Sequence, residues 1–139
     1  MIRCMKTLFS LNGTVLTGDQ HGRTIGYPTI NLDPSLWPAH FQPGVYASTV
    51  VIKNTAFLGA LYFGSRSIKG ETRSVLEITL LDYSGNLYHQ KVEVRVGDFI
   101  RPPIEYVPTK SDETKLQRQI QSDIREIRRK TVIDSESES

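Results

Sequence analysis

From residue 44 onward the chain reads as a succession of strands. VYASTVVIK (45–53) is rich in β-branched and aromatic residues, KNT (53–55) predicts a turn, and AFLGALYF (56–63) the return strand. SVLEITLLDY (74–83) predicts a further strand, SGN (84–86) a turn, and LYHQKVEVRV (87–96) alternates apolar and polar positions. Near the front, LNGTVL (11–16) reads as another strand. Short strands at hairpin spacing, with no helical pattern between them, predict an all-β sandwich or small closed barrel. RPP (101–103) ends the strand region, because proline has no N–H for a ladder.

One helix is predicted, over 112–130. Ser111 is its N-cap candidate, and Asp112 and Glu113 put negative charge in its first turn. Leu116, Ile120, Ile124 and Ile127 fall on one narrow apolar stripe. Arg125, Arg128, Arg129 and Lys130 gather at its C-terminal end, either as a solvated, dipole-matched terminus or as a partner or phosphate site. The organisation expected is one domain, 1–131, followed by a disordered acidic tail, 132–139.

Composition narrows the classes. With 139 residues, 38% hydrophobic and 23% charged, the chain suits one soluble domain, and no apolar run is long enough for a membrane-spanning helix. The Asn12–Gly13 pair breaks the N-terminal stretch before a secretory signal can form, and Cys4 is alone, so no internal disulfide or multi-cysteine zinc site is available. A cytoplasmic location and no membrane partner are expected. The net charge is +2, and without Asp134, Glu136 and Glu138 it would be +5. That balance suits an anionic small molecule better than nucleic acid, which is not expected as a partner.

The stretch GRTIGYPTINL (22–32) carries the first candidate chemistry. In an extended segment residues two apart share a face, so Thr29 and Asn31 present a hydroxyl and a carboxamide oxygen together, with Pro28 fixing the backbone before them. These are hard ligands of the kind Mg²⁺ accepts, and Mg²⁺ often takes only one or two protein groups beside water and substrate phosphates. Upstream, Gly18, Gly22 and Gly26 surround Arg23, a composition that lets backbone N–H groups and a forked cation approach phosphate. Neither a Walker A nor a G-x-G-x-x-G pattern occurs, so the same residues also read as a glycine-rich turn before an edge strand. The second candidate is Glu77, between Val75 and Thr79 on a strand whose other face is Leu76, Ile78 and Leu80. A carboxylate there must find donors, as a salt-bridged residue, or serve as a general base.

The ordered set resembles the riboflavin kinase (flavokinase) family, found in eukaryotic enzymes and in the C-terminal module of bacterial FAD synthetases. The matching pieces are Gly13, Val15 and Gly18 of G-x-V-x-x-G, then G-R-T-I-G-Y-P-T-I-N-L, P-G-V-Y-A (43–47) and Y-F-G-S-R (62–66). L-E-I-T-L-L-D-Y (76–83), G-N-L-Y (85–88) and F-I-R-P (99–102) complete it, so the likeness runs from about residue 9 to the helix. The resemblance implies a six-stranded antiparallel closed barrel with one C-terminal helix beside it. It implies transfer of the ATP γ-phosphate to the 5′-hydroxyl of riboflavin, giving FMN and ADP, by a cytoplasmic monomer using Mg²⁺, with Mn²⁺ or Zn²⁺ as alternatives.

Carried over by motif, Thr29 and Asn31 would hold the metal and the nucleotide phosphates, with Gly18, Arg23, Leu80, Asp82 and His89 also on the nucleotide side. Glu77 would take the hydroxyl proton. Arg101, Pro102, Glu105 and Val107 match the flavin-side loop, and the helix would help wall the flavin pocket. The chain departs from the pattern at His89, where glycine is common, at Thr79, where histidine is frequent, at Ser67, often proline, and at Ile104-Glu105-Tyr106. No H-x-G-H nucleotidyltransferase motif is present, so FMN rather than FAD is the expected product and no second domain is expected. Two rivals remain: a small barrel stacking nucleic acid on Tyr46, Tyr62, Phe63, Tyr83 and Tyr88, and a flavin-binding protein of the same fold without catalysis.

Overall fold

The structure, a computed structural model, describes residues 6–16, 28–68, 70–83, 85, 87–103 and 110–137, with the backbone alone at 67–68, 110–114, 116 and 131–137. Six strands are present: β1 (Phe9–Thr14), β2 (Thr29–Leu32), β3 (Gly44–Ile52), β4 (Thr55–Ile68), β5 (Glu71–Leu80) and β6 (Lys91–Arg101). The helix α1 follows over Lys110–Ser137. It begins one residue before Ser111, so that residue lies inside the helix rather than capping it, and it outruns the expected 112–130 at both ends. Among the described residues no helix is long and apolar enough to cross a membrane.

All pairings are antiparallel, and the strand order is β1-β6-β3-β4-β5-β2. The β3–β4 hairpin turns at Lys53 and Asn54, both at positive φ, the backbone of a tight two-residue turn whose twist matches the strands. β5 is flanked by β4 and β2, so β6 does not return beside it; it crosses to lie between β1 and β3. Residues 87–90, expected to open that strand, instead form the turn leading to Lys91.

The closed barrel is not what the sheet forms. It is an open, curled sheet; among the described residues its two edges meet in one isolated bridge, from Leu16, two residues past the end of β1, to Asn31 of β2, in which Leu16 N donates to Asn31 O at 2.8 Å. A closing ladder needs successive pairs, and β2 offers only four residues after Pro28, which has no N–H to donate.

Curling gives the sheet two buried faces. The concave face holds the main core: Leu11, Ile30, Leu32, Tyr46, Val50, Leu61, Leu76, Ile78, Leu80, Val92, Val94 and Val96, roofed by Trp37. Alternation then sends Ala47, Leu58, Ala60 and Leu81 to the convex face, where Ile120, Ile124 and Ile127 of α1 cover them. This explains why β3 is buried along nearly its whole length: one side faces the core and the other the helix. Among the described residues three ion pairs tie the helix down, the longest being Lys130 to Asp98 at 3.8 Å. Arg101 grips Asp123 through Nε at 2.9 Å and an η-nitrogen at 2.8 Å, and Arg128 reaches both Asp82 carboxylate oxygens at 3.2 Å.

Ile127 has no exposed surface, and its truncation opens a cavity between helix and sheet. Ile127→Ala is expected to cost about 3 kcal/mol of folding free energy, read as a lowered urea midpoint with the slope unchanged.

Candidate active site

The β2–β5 ladder pairs Thr29 with Thr79 and Asn31 with Glu77. Their neighbours Ile30, Leu32, Leu76, Ile78 and Leu80 fill the core, so by alternation Thr29, Asn31, Glu77 and Thr79 share the convex face. Directly opposed side chains in such a ladder start about 5 Å apart at Cβ. The metal candidates and the base candidate therefore meet at the rim of the sheet, although 46 residues separate Asn31 from Glu77 along the chain.

The row continues across the sheet. Glu77 is opposite Tyr62, Tyr62 opposite Val45, and Val45 opposite Arg101. One line of residues thus runs from Asn31 on β2 to Arg101 on β6, four strand spacings or about 19 Å along the surface. The parallel line Thr29, Thr79, Ala60, Ala47 ends beneath α1.

Two features mark these adjacent lines as chemically unusual. The Thr29 hydroxyl oxygen is buried and has no hydrogen-bond partner among the described residues, a costly state for a group that ordinarily accepts and donates. Glu77 is salt-bridged: its Oε2 accepts from an Arg66 η-nitrogen at 2.9 Å, and its side chain is 15% exposed. Arg66 lies with its Cζ 4.8 Å from the Tyr62 ring centre, and its own Nε is buried with no hydrogen-bond partner among the described residues. Tyr62 donates to Ser65 O at 2.6 Å, and burial pushes its phenol above the ordinary tyrosine value.

Other candidates are placed as follows. Leu80 points into the core, so only its main chain borders this face, and its N–H is used on Pro28 O at 2.9 Å. Asp82 is exposed and held by Arg128. Arg101 is committed to Asp123, with a further bond from an η-nitrogen to Pro102 O at 3.1 Å, and Pro102 is exposed. Gly18, Arg23, Glu105 and Val107 lie outside the described residues. His89 is exposed at φ 69°, its N–H donating to Val15 O at 2.8 Å; this left-handed backbone is where glycine is at ease. Among the described residues, three or more His, Cys, Asp or Glu side chains nowhere cluster as a metal site would require, which leaves the hydroxyl and carboxamide of β2 as the oxygen donors to consider.

The aromatic residues do not make a stacking platform. Tyr46 is in the core and donates to Gln42 O, Phe63 stacks on Trp37 at 4.8 Å, and Tyr83 meets Phe57 edge-on. Tyr62 alone among the five lies in the convex row, under Arg66. The basic cluster is not a helix terminus, because α1 runs on to Ser137 with no basic residue in its last turn; from within the helix Arg128 pairs with Asp82, Arg129 with Glu126 and Lys130 with Asp98.

Two ion-pair partners of the candidate residues escaped the sequence. Arg66 was visible only as part of a motif; its partner could be found only from the β4–β5 register. Asp123 stands beside the apolar stripe of α1, between Ile120 and Ile124, and a carboxylate flanking a buried stripe was the available signal.

A curled antiparallel sheet with a helix on its convex side and a strip of oxygen donors at one rim defines the class. Comparison with known proteins names it more closely: the riboflavin kinase (flavokinase) family profile matches residues 5–131, and the chain belongs to that family. The Haemophilus influenzae bifunctional riboflavin kinase/FMN adenylyltransferase is 36% identical over 84% of this chain and 36% of its own length. The Bacillus subtilis RNA-binding riboflavin kinase RibR is 31% identical over 81% of the chain and 46% of its own. A Mycoplasmoides gallisepticum trifunctional RibF/MnmA protein is 29% identical over 75% of the chain and 16% of its own. The chain therefore spans less than half the length of each of these relatives. Among solved structures, a Streptococcus pneumoniae protein described as a macrolide-efflux protein superposes with a TM-score of 0.67 at 26% identity, over 86% of this chain and 38% of that one.

His89→Gly is expected to raise stability by about 0.5–1 kcal/mol in urea titrations, the left-handed strain relieved exceeding the entropy glycine adds to the unfolded chain. The raised Tyr62 phenol gives a second expectation. Its stabilisation is whole below pH 10, the unfolded value, and is lost as pH climbs through the higher folded value. Tyr62→Phe should accordingly flatten the loss of stability above about pH 10, measured by urea unfolding at stepped pH.

Proposed function

We propose that this chain is a riboflavin kinase, transferring the γ-phosphate of ATP to the 5′-hydroxyl of riboflavin to give FMN and ADP. The observation that carries the proposal is the register of β2 on β5, with Asn31 opposite Glu77 and Thr29 one step along the same face. Phosphoryl transfer asks a protein mainly for alignment and for neutralisation of the phosphate charge. The donor set suits Mg²⁺: one hydroxyl oxygen buried and unclaimed, and one carboxamide oxygen beside it on the same strand face. Thr29 and Asn31 would hold Mg²⁺ carried on ATP, whose charge would offset that of the phosphates.

In this reading ATP lies at the β2 rim, with Gly18, Arg23, Leu80, Asp82 and His89 on its side. Riboflavin lies along the convex row, its ribityl end at Glu77 and its ring toward Arg101, Pro102, Glu105 and Val107. Arg66 holds Glu77 Oε2, and Oε1 has no hydrogen bond among the described residues. Oε1 accepts the 5′-hydroxyl proton as that oxygen bonds to the γ-phosphorus and the bond to the ADP oxygen breaks. Helix α1 walls the flavin side, held there by the Arg101–Asp123 pair.

The test is incubation with riboflavin, ATP and Mg²⁺, with FMN and ADP separated by chromatography. Equal formation of the two is expected. Glu77→Gln should lower kcat by about 10²–10⁴ and leave ATP affinity unchanged by calorimetric titration, while Thr29→Ala should weaken Mg²⁺-dependent ATP binding and rate together. No FMN with Mg²⁺, Mn²⁺ or Zn²⁺ would instead leave a flavin-binding protein without catalysis.

A further inference from the structure

We infer that Arg66 is a positioning residue for Glu77, delivered to it by an aromatic shelf built from Tyr62 and Gly64. The inference rests on the riboflavin kinase reading above and adds to it a group outside the motifs assigned to metal, nucleotide or flavin.

The shelf begins with an absence. A Cβ at Gly64 would stand 2.7 Å from the Tyr62 hydroxyl oxygen and 3.0 Å from Cζ, so the ring lies across the bare backbone of Gly64. Any side chain there would lift it. Lying flat, the phenol reaches Ser65 O at 2.6 Å, which fixes the ring at its far end. Arg66 is on the same face of β4, four residues beyond Tyr62, and the guanidinium rests over that ring at 4.8 Å. From this position an η-nitrogen meets Glu77 Oε2 at 2.9 Å.

The consequence is orientational. A glutamate side chain has three rotatable bonds, and a general base must keep one oxygen within about 3 Å of the proton it takes. Arg66 claims Oε2 and thereby restrains the carboxylate, leaving Oε1 as the oxygen for the proton on a residue that Asn31 faces in the ladder. The salt bridge is partly buried, with Arg66 29% and Glu77 15% exposed, so solvent does not fully screen it. Since Tyr62 stands next to Glu77 in the ladder, the shelf and the acid cannot drift apart without breaking the β4–β5 register.

Steady-state kinetics on single and double variants decide the matter. Arg66→Met is expected to lower kcat about 10–100-fold, the scale of a misplaced catalytic group, with both KM values within about twofold of the parent. Arg66→Lys should recover part of the loss, because an ammonium can reach the carboxylate but lacks the planar fork that stacks. In a Glu77→Gln background the Arg66→Met change should cost less than about twofold, since nothing remains to be positioned. Tyr62→Leu, which removes the shelf and keeps both charged groups, should lower kcat about 3–10-fold; thermal unfolding of each variant reports folding, and Tyr62→Leu serves if Arg66→Met does not fold. Wild-type turnover that both Arg66→Met and Tyr62→Leu leave intact, or losses that multiply with Glu77→Gln, overturns the inference alone. A wild-type protein that forms no FMN overturns the kinase reading and this inference with it.

Discussion

The four-residue ladder between β2 and β5 is the constraint on which the candidate site depends. Asn31 and Glu77 face each other because Ile30 sits opposite Ile78 and Leu32 opposite Leu76, and all four of those side chains are buried in the core. A slip of one residue would turn Ile30 and Leu32 out to the convex face and bring Thr29 and Asn31 into an apolar interior. Burial of four large aliphatic side chains thus fixes where two polar ones stand. The chemistry of the rim is set by the packing of the opposite face.

The same logic gives the sheet its second buried side. A curled six-stranded sheet with only a concave core would leave Ala47, Leu58 and Leu81 in water; α1 covers them with Ile124 and Ile127. The small side chains Ala47 and Ala60 let the helix approach closely, and the row ending at Thr29 passes beneath it. Asp123 is itself buried, and its carboxylate is satisfied by the Arg101 fork and by Gln119 at 3.2 Å. Breaking such a pair from one side leaves an uncompensated charge, so the pair fixes the position of the helix more than it adds net stability.

Much of this was legible in the chain, and the parts that were not share a cause. Strands, the β3–β4 turn and the apolar stripe of α1 follow from local periodicity, which the sequence carries directly. The Thr29–Asn31 spacing and the anomalous Glu77 were visible for the same reason, since each is a property of a few consecutive residues. Strand order, the open edge between β1 and β2, and the Arg66 clamp are not local: they depend on which strands lie side by side. Glu77 illustrates the division, because the sequence left it either salt-bridged or catalytic, and the β4–β5 register supplies an arginine without making the two alternatives exclusive. His89 was legible as an oddity, and the positive φ gives its physical meaning.

The distribution of charge around the site bears on how phosphate would be met. Among the described residues, Arg66 is engaged with Glu77, Arg101 with Asp123, Arg128 with Asp82, and Lys130 with Asp98. Each of these four cations already faces a carboxylate, so none of them stands as an isolated charge for phosphate to meet. A triphosphate approaching the β2 rim would meet neutral oxygen donors and a guanidinium held by an acid, not a row of unpaired lysines. In the proposed reading, neutralisation of its charge would then fall to a divalent ion on Thr29 and Asn31. Such an arrangement favours an anion that brings its own counter-charge. Mg²⁺-ATP, the co-substrate of the proposed reaction, has that character.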